Sequence, residues 1–285
     1  HLDTVTGFVE LEHRIQELQL YSHRIWCTSS GFGGIIGASA AIAWRGNRDF
    51  TWECTAWREN IGQRQVPTKL VAEMSKMFPS TFLNRDPNAG HSLIAPRTPC
   101  PVLYGIRGET EQGVLDAHRY LQENGAEISI DYRVHRSNQA TDDHLQGCEQ
   151  GIVEKIRVIQ GGHVEIEAGK VLLSFSQGGE LNKLCQQLRV GDHVEWFGLS
   201  NFDGTVHLER LRLIRGERNR TRPNCICGQR FKSKGKNQPL RCPNCGAMSP
   251  DSWDSEFIDS DWQEPPPSHR RHLSKPLSRM GKSEV

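Results

Sequence analysis

Four cysteines carry the clearest chemistry in this chain. They form two strings, Cys225-Ile226-Cys227-Gly228 and Cys242-Pro243-Asn244-Cys245-Gly246, with fourteen residues between Cys227 and Cys242. Two such knuckles can surround one zinc ion tetrahedrally, at about 2.3 Å per sulfur, and the glycine after each second cysteine lets the backbone turn around the metal. The second knuckle has the usual C-x-x-C spacing, whereas the first is C-x-C, one residue short. Either all four thiolates close a structural Zn2+ site, or Cys225 stands aside and water or another side chain completes the shell. A site closed by thiolates leaves no open position for hydrolysis.

Two polar clusters suit a ligand. In Arg97-Thr98-Pro99-Cys100-Pro101-Val102-Leu103-Tyr104-Gly105-Ile106-Arg107-Gly108-Glu109, two arginines, a thiol and a carboxylate surround an apolar strand. That composition fits a phosphorylated or nucleotide ligand. A surface ion pair between Arg107 and Glu109 is the plainer alternative. In Ser137-Asn138-Gln139-Ala140-Thr141-Asp142-Asp143-His144, Asn, Thr, Asp and His follow a strand. Turn and cap chemistry favours the same residues. No Ser-His-Asp order, Walker loop or HExxH is present, and the run Gly31-Phe32-Gly33-Gly34-Ile35-Ile36-Gly37 misses dinucleotide-loop spacing because Ile36 stands where the third glycine belongs.

Charge is segregated although the net charge is only +1. From Glu209 to Arg241 eleven basic residues face two acids, and from Asp251 to Glu264 the sign reverses with no cation. This pattern points to a polyanion-binding zone beside an acidic linker; a solvated basic surface accounts for the charge equally well. The nucleic-acid candidates are Arg218, Arg220, Arg222, Arg230, Lys232, Lys234 and Lys236, with Trp196 and Phe231 as stacking residues. Trp196 and Phe197 alternate along one strand, so one belongs to a core, and Phe231 fits a ribbon core as well as a stacking platform.

The elements that must position these groups are short. Val9–Leu20, Pro67–Phe78 and Thr110–Asn124 read as helices, and Phe50–Trp57, Ser92–Ala95, Val102–Ile106 and Glu127–Val134 as strands. They suggest an α+β domain over 31–147. Ile152–Ile159, His163–Glu167, Val171–Ser176, His193–Leu199 and Thr205–Ile214 read as five strands, with a helix at Glu180–Leu188 between the third and fourth. That is the OB-fold arrangement of a β-barrel, over 150–216. A zinc ribbon follows at 219–250, then a polar C-terminal tail at 251–285: an acidic linker, extended up to its proline run, and a basic end that docks on a partner or on the protein itself.

Length and composition agree with several small domains. The chain has 285 residues, 36% apolar, with a mean hydropathy of −0.59. No stretch approaches the roughly 18–20 apolar residues of a membrane span. Nine cysteines, five scattered and four clustered, fit a reducing, cytoplasmic setting with one metal site rather than a disulfide framework.

Several strings carry a wider resemblance: Thr98-Pro99-Cys100-Pro101-Val102-Leu103-Tyr104-Gly105-Ile106-Arg107-Gly108-Glu109, Gly34-Ile35-Ile36-Gly37-Ala38, Asn138-Gln139-Ala140-Thr141-Asp142-Asp143-His144-Leu145, Gly161-Gly162-His163-Val164 and Pro267-Ser268-His269-Arg270-Arg271-His272-Leu273-Ser274-Lys275-Pro276-Leu277. In order along nearly the whole chain, they resemble the archaeal 2-agmatinylcytidine synthetases. The resemblance implies a kinase-like domain followed by a ferredoxin-like α+β domain, an OB domain and a zinc ribbon. It implies an ATP-dependent ligase that joins agmatine to the 2-position of the wobble cytidine in an isoleucine tRNA with a CAU anticodon, with ATP and Mg2+ as co-substrate and its metal. The sequence opens at His1 and lacks the aspartate-rich kinase-like part, so residues 1–30 are expected to be its remnant. Under this resemblance Arg107, Glu109, Asp142 and His144 are the catalytic candidates, and Arg97, Thr98, Cys100, Asn138 and Thr141 bind substrate. Arg97 or Arg107 would hold phosphate, and Glu109 or Asp142 would meet agmatine's guanidinium.

Overall fold

Alternation of apolar and polar residues makes Thr51–Trp57 a strand, β1, whose Cys54 and Ala56 are fully buried. It is the centre of the first sheet in a computed structural model that describes residues 1–7, 9–21, 35–46, 49–59, 62–236 and 238–281. Gly31 to Gly34, Cys27 and the last part of the expected 1–30 remnant lie outside the described residues. Before β1 come α1 (Leu2–Thr6), α2 (Leu11–Gln19) and α3 (Ile35–Ile42). After it come α4 (Thr68–Met77), β2 (Thr81–Phe82), β3 (Val102–Gly108), α5 (Glu111–Glu123) and β4 (Asp131–Ser137). The sheet runs β2-β3-β1-β4 with every neighbouring pair antiparallel.

Both helices of this unit cover one face of the sheet. In α5, Val114, Ala117, His118 and Leu121 recur at helical spacing and are buried, and the Thr110 hydroxyl caps the helix by accepting from the Gly113 N–H at 3.1 Å. Leu70, Val71 and Met74 of α4 join them over Leu103 and Ile106. Two expected boundaries move. Ser92–Ala95 is not a strand: Ser92 makes one bridge to Arg85, and the Ile94 carbonyl accepts from Gly105 instead. The strand expected at Glu127 begins at Asp131, because the Glu127 carboxylate is drawn away by the Gln65 N–H and by Arg58.

The second sheet is formed by β5 (Glu149–Ile152), β6 (Lys155–Ile159), β7 (His163–Glu167), β8 (Val171–Ser174), β9 (His193–Ser200) and β10 (Thr205–Thr221), in the order β5-β9-β10-β8-β7-β6. Only β8 and β10 pair in parallel. Two residues, Val153 and Glu154, separate β5 from β6, so one bent strand closes both edges. Helix α6 (Glu180–Gln187) seals the core of Val164, Ile166, Leu172, Leu181, Val194, Trp196 and Leu211.

Strand β10 continues seven residues beyond the expected Ile214, to Thr221. Past the barrel it pairs with Asp254–Ile258, so part of the acidic linker is a strand. That strand is β13; β11 (Leu240–Arg241) and β12 (Met248–Ser249) form the small hairpin of the cysteine region. From Ser260 the tail returns across both sheets. Gln263 exchanges backbone hydrogen bonds with Leu211, and the Ser268 N–H reaches Asp86 at 3.1 Å. The basic end docks on the protein itself.

Candidate functional site

The loop after β4 is held in a strained form. Ala140 and Asp142 have φ of 59° and 62°, the left-handed region that L-residues enter at a cost of about 1–2 kcal/mol. Such a conformation persists where its surroundings over-determine it. Here the tail does so: Ala140 N–H donates to the His272 carbonyl and Asp142 N–H to the Leu273 carbonyl, each at 2.8 Å. The Lys275 N–H donates to Asp142 Oδ1 at 2.7 Å, and Arg279 donates to the Ala140 carbonyl.

Acids from the first domain meet cations from the tail and the barrel. Arg279, 1% exposed, forks onto Glu109 at 2.8 and 3.1 Å. Lys275 reaches Asp49 at 3.0 Å, and Arg210 of β10, stacked over Phe197, holds Asp142. The two carboxylates expected to receive agmatine's guanidinium, Glu109 and Asp142, are thus matched by the chain's own arginines. Asp49, Arg210 and Arg279 carry no local motif, so the sequence reading missed them; the tail string around Lys275 was the one available signal.

His144 is 2% exposed and its Nε2 donates to Glu209 Oε1 at 2.7 Å, while Ser274 Oγ donates to Glu209 Oε2 and Arg271 lies 3.1 Å from Oε1. Burial alone would raise the Glu209 carboxyl, but His144, Ser274 and Arg271 hold it below its ordinary value. Asn138 Nδ2 donates to Asp143 at 3.1 Å, His1 meets the same oxygen at 2.6 Å, and the buried Thr141 hydroxyl caps Asn138's carbonyl at 2.6 Å. Asn138, His144 and the tail's Arg271, His272 and Leu273 line a cavity of about 500 Å³ against the small residues of α3.

Arg107 stands opposite Glu53 in the β1–β3 register, its Nε buried without a partner and its NH2 3.5 Å from His272 Nδ1. Burial pushes this guanidinium's pKa down, and Glu53 pulls it back up. His272 is pushed down by burial and then by Arg107, against Glu53. The structure separates Arg97, Thr98 and Cys100 from this cluster. They precede β3, and Arg107 lies about 16 Å along the strand from its first residue. Arg97 and Thr98 are exposed there, and Arg64 binds the carbonyls of Pro96, Thr98, Cys100 and Val102 and the Cys100 Sγ at 3.0 Å.

The four clustered cysteines converge, with all ligand atoms within 4.8 Å of one another. Cys225–Cys245 and Cys227–Cys242 Sγ separations are 3.5 and 3.4 Å, near the roughly 3.8 Å edge of a tetrahedron with 2.3 Å bonds. The short first knuckle still closes, because Cys225 N–H donates to the Gln229 carbonyl and Gly228 N–H to the Cys225 carbonyl, both at 2.8 Å. Gly228 and Gly246 take φ of 86° and 74°, which glycine adopts without strain. The Gln229 backbone N–H and the Cys242 thiol draw the Cys227 thiol down to about 6, whereas Cys245, against the Ala247 backbone N–H, is pushed up to about 12 by Cys225, Cys242 and Cys227. These residues fit a structural zinc ion bound by all four sulfurs.

The nucleic-acid candidates divide. Trp196, 2% exposed, is barrel core, and Phe231, 8% exposed, packs with Leu240 in the ribbon core, so neither offers a free face to a base. Arg218 forks onto Asp192 at 2.7 and 2.8 Å; Arg222 pairs with Asp251 and stacks on Trp253 at 3.7 Å; Arg220 lies 3.8 Å from Glu217. Arg230, Lys232, Lys234 and Lys236 are exposed and make no ion pair among the described residues. Lys232 and Lys234, with Arg241 and Asn244, line a second cavity of about 550 Å³. Trp253 and Phe257 are the half-exposed aromatics the sequence reading missed, because they sit in the acidic segment.

Known proteins share this architecture. Residues 33–144 match the TiaS FLD domain model, and residues 222–257 the TiaS C-terminal zinc ribbon domain model. The isoleucine-tRNA 2-agmatinylcytidine synthetase TiaS of Methanocorpusculum labreanum is 30% identical over 96% of this chain and 71% of its own length. That of Archaeoglobus fulgidus is 34% identical over 87% of this chain and 64% of its own. A solved complex of TiaS with its isoleucine tRNA, AMPCPP and agmatine superposes with a TM-score of 0.70 at 28% identity, covering 97% of this chain and 71% of that one. The chain spans 53% to 65% of the length of several curated relatives it matches. No described helix is long and apolar enough to cross a membrane. Both family models, and relatives matched along most of their own length, place the chain in the TiaS family of isoleucine-tRNA 2-agmatinylcytidine synthetases.

Proposed function

We propose that the chain acts in the ATP-dependent joining of agmatine to the 2-position of the wobble cytidine of isoleucine tRNA with a CAU anticodon. The observation that carries this reading is the architecture shared, along 97% of the chain, with a protein solved with its isoleucine tRNA, AMPCPP and agmatine together. The β-α-β-β-α-β unit with sheet order β2-β3-β1-β4 supports a ferredoxin-like domain at 31–147. Five strands closed by a bent first strand, with one parallel pair and a helix before β9, support an OB barrel at 150–216, followed by the ribbon at 219–250. A cytoplasmic setting goes with this reading.

The chemistry explains the division of labour. Cytosine's 2-oxygen leaves poorly until phosphorylated, and ATP with Mg2+ supplies that phosphate; agmatine's amine must reach the ring neutral and oriented. Arg107, whose Nε has no partner, would hold phosphate at the first domain. The exposed Lys232, Lys234, Lys236 and Arg230 would neutralise tRNA phosphates.

The test is incorporation of labelled agmatine into a CAU-anticodon isoleucine tRNA transcript with ATP and Mg2+. It uses the chain alone and the chain joined to the part of the Archaeoglobus fulgidus relative that it does not span. Label transferred by the joined protein supports the reading. Tight tRNA binding without transfer by either would leave a non-catalytic nucleic-acid-binding protein.

A further inference from the structure

Helices α4 and α5 cover one face of the first sheet, and Glu53 lies on the other. Directly opposed residues of an antiparallel pair share a face, so Glu53 stands there with Arg107 of β3 and His135 of β4, and Thr55 follows with Gly105 and Arg133. Glu53 is 9% exposed yet makes no hydrogen bond or ion pair among the described residues. Both of its oxygens keep accessible surface, unlike the sealed Nε of Arg107. The carboxylate leans away from Arg107: Oε1 lies 2.6 Å from where a Cβ at position 105 would stand, so the missing side chain of Gly105 makes its place. The Arg107 guanidinium turns to His272 instead. Burying a carboxylate without a partner is costly, so one left open on a sheet face marks a place where a donor binds.

The face also selects the kind of donor. Arg107 and Arg133 stand beside this one acid, and Arg133 makes no ion pair among the described residues. That surplus of positive charge repels agmatine's dication and suits RNA. Open four-stranded sheets on such helix pairs take unpaired bases. Resting on the ligase reading above, we infer that the Glu53 carboxylate accepts a hydrogen bond from N4 of the wobble cytosine, whose 2-oxygen faces Arg107, and so selects cytidine over uridine. Opposed Cβ atoms stand about 4.5–5.5 Å apart, which suits the 2- and 4-substituents of one pyrimidine. Cytosine presents an amino donor at position 4, and uracil a carbonyl oxygen that a carboxylate repels. The same contact serves the reaction. As the 2-oxygen bonds to phosphorus, the P–O bond to the rest of ATP breaks and the leaving group keeps the electron pair. The ring gains one positive charge, shared by N3 and N4, and Glu53 faces it at N4. Agmatine's amine then adds at C2, phosphate leaves with the C2–O electron pair, and the nitrogen that has joined C2 gives up a proton to water.

The test uses the joined protein and anticodon stem-loops of one sequence, with cytidine, uridine or the riboside of pyrimidin-2-one at the wobble position. The last lacks only the 4-amino group. The parent should bind the cytidine form about 10–10²-fold more tightly than the other two. Glu53→Gln keeps the shape and offers an amide donor to uracil's 4-oxygen. Its cytidine-to-uridine ratio should fall by about tenfold or more, with agmatine KM unchanged. Gly105→Ala, which displaces the carboxylate, should lose the same preference. A ratio in Glu53→Gln equal to the parent's overturns the inference. So does a raised agmatine KM at an unchanged ratio, which would put the amine on Glu53. A loss equal for all the stem-loops, with a lower melting temperature, overturns it too and makes the carboxylate structural. If the joined protein transfers no agmatine, the ligase reading fails and the stem-loop ratios alone judge this one.

Discussion

Strand β10 and the zinc ribbon are both rich in basic residues and opposite in structure. Along β10, Arg210 sits on Phe197 and Asp142, Arg212 on Trp262 and Glu195, Arg215 on Phe257, and Arg218 on Asp192. The carboxylates and rings facing them come mostly from the acidic segment and the barrel. In the ribbon, Arg230, Lys232, Lys234 and Lys236 project from a scaffold too small to supply counter-charges. A run of cations therefore does not measure the charge offered to a partner. The first region uses its arginines to hold the tail and the barrel, and the second leaves its lysines without a counter-charge among the described residues.

The largest test of that contrast is removal of the metal. The ribbon core among the described residues is Cys225, Phe231, Leu240 and Cys242, too little to fold without zinc. Chelation, or Cys242→Ser, should abolish amide protection across 222–249 and most tRNA affinity, while the barrel amides stay protected. Hydrogen exchange reads both at once. If the ribbon stayed protected without metal, the claim that zinc organises it would be wrong.

Next in size is Arg218→Ala. It leaves Asp192, whose side chain is 2% exposed, without its cation, and should destabilise the barrel by about 3 kcal/mol. Denaturant titration checks this. A variant as stable as the parent, with weakened tRNA binding, would move Arg218 to the ribbon's side of the comparison.

What could be read from the sequence follows from how local each signal is. The cysteine knuckles, the Thr110-capped helix and the barrel strands are written in neighbouring residues, and their positions were legible. Asn138, Thr141, Asp142 and His144 do lie together, since one loop carries them. Arg97, Thr98 and Cys100 share a string with Arg107 yet sit at the other end of β3, because a strand extends its residues rather than gathering them. Trp196 could not be told from Phe197 by alternation alone. Glu209, Asp49 and Arg279 were invisible because their partners lie 65, 230 and 170 residues away, across a docked tail that composition presents as a linker.

Salt dependence should then separate the two regions by a smaller but cleaner margin. Each of Lys232→Ala, Lys234→Ala and Lys236→Ala should reduce the slope of log affinity against log salt by about 0.7–0.9 for every phosphate no longer neutralised, and leave the melting temperature unchanged. Arg212→Ala, with its cation already matched by Glu195, should leave the slope unaltered. Equal slopes for all four variants would erase the distinction.

The smallest effect is acid sensitivity, and its sign is set by the paired carboxylates. Burial would raise Glu195, but Cys148, Arg212 and Gln150 hold it below its ordinary value, as His144 and Ser274 hold Glu209. A carboxyl lowered in the folded state binds fewer protons there than in the unfolded chain. The stability it contributes is present above its ordinary value of 4.5 and is lost as pH falls through the lower folded value. Glu209→Gln should therefore flatten the fall in melting temperature below about pH 4.5, although neutral stability drops. Lys234→Ala removes no partner of a paired carboxylate, so it should track the parent curve. A parent-like acid slope in Glu209→Gln would show that the clasp between barrel and tail does not depend on that charge.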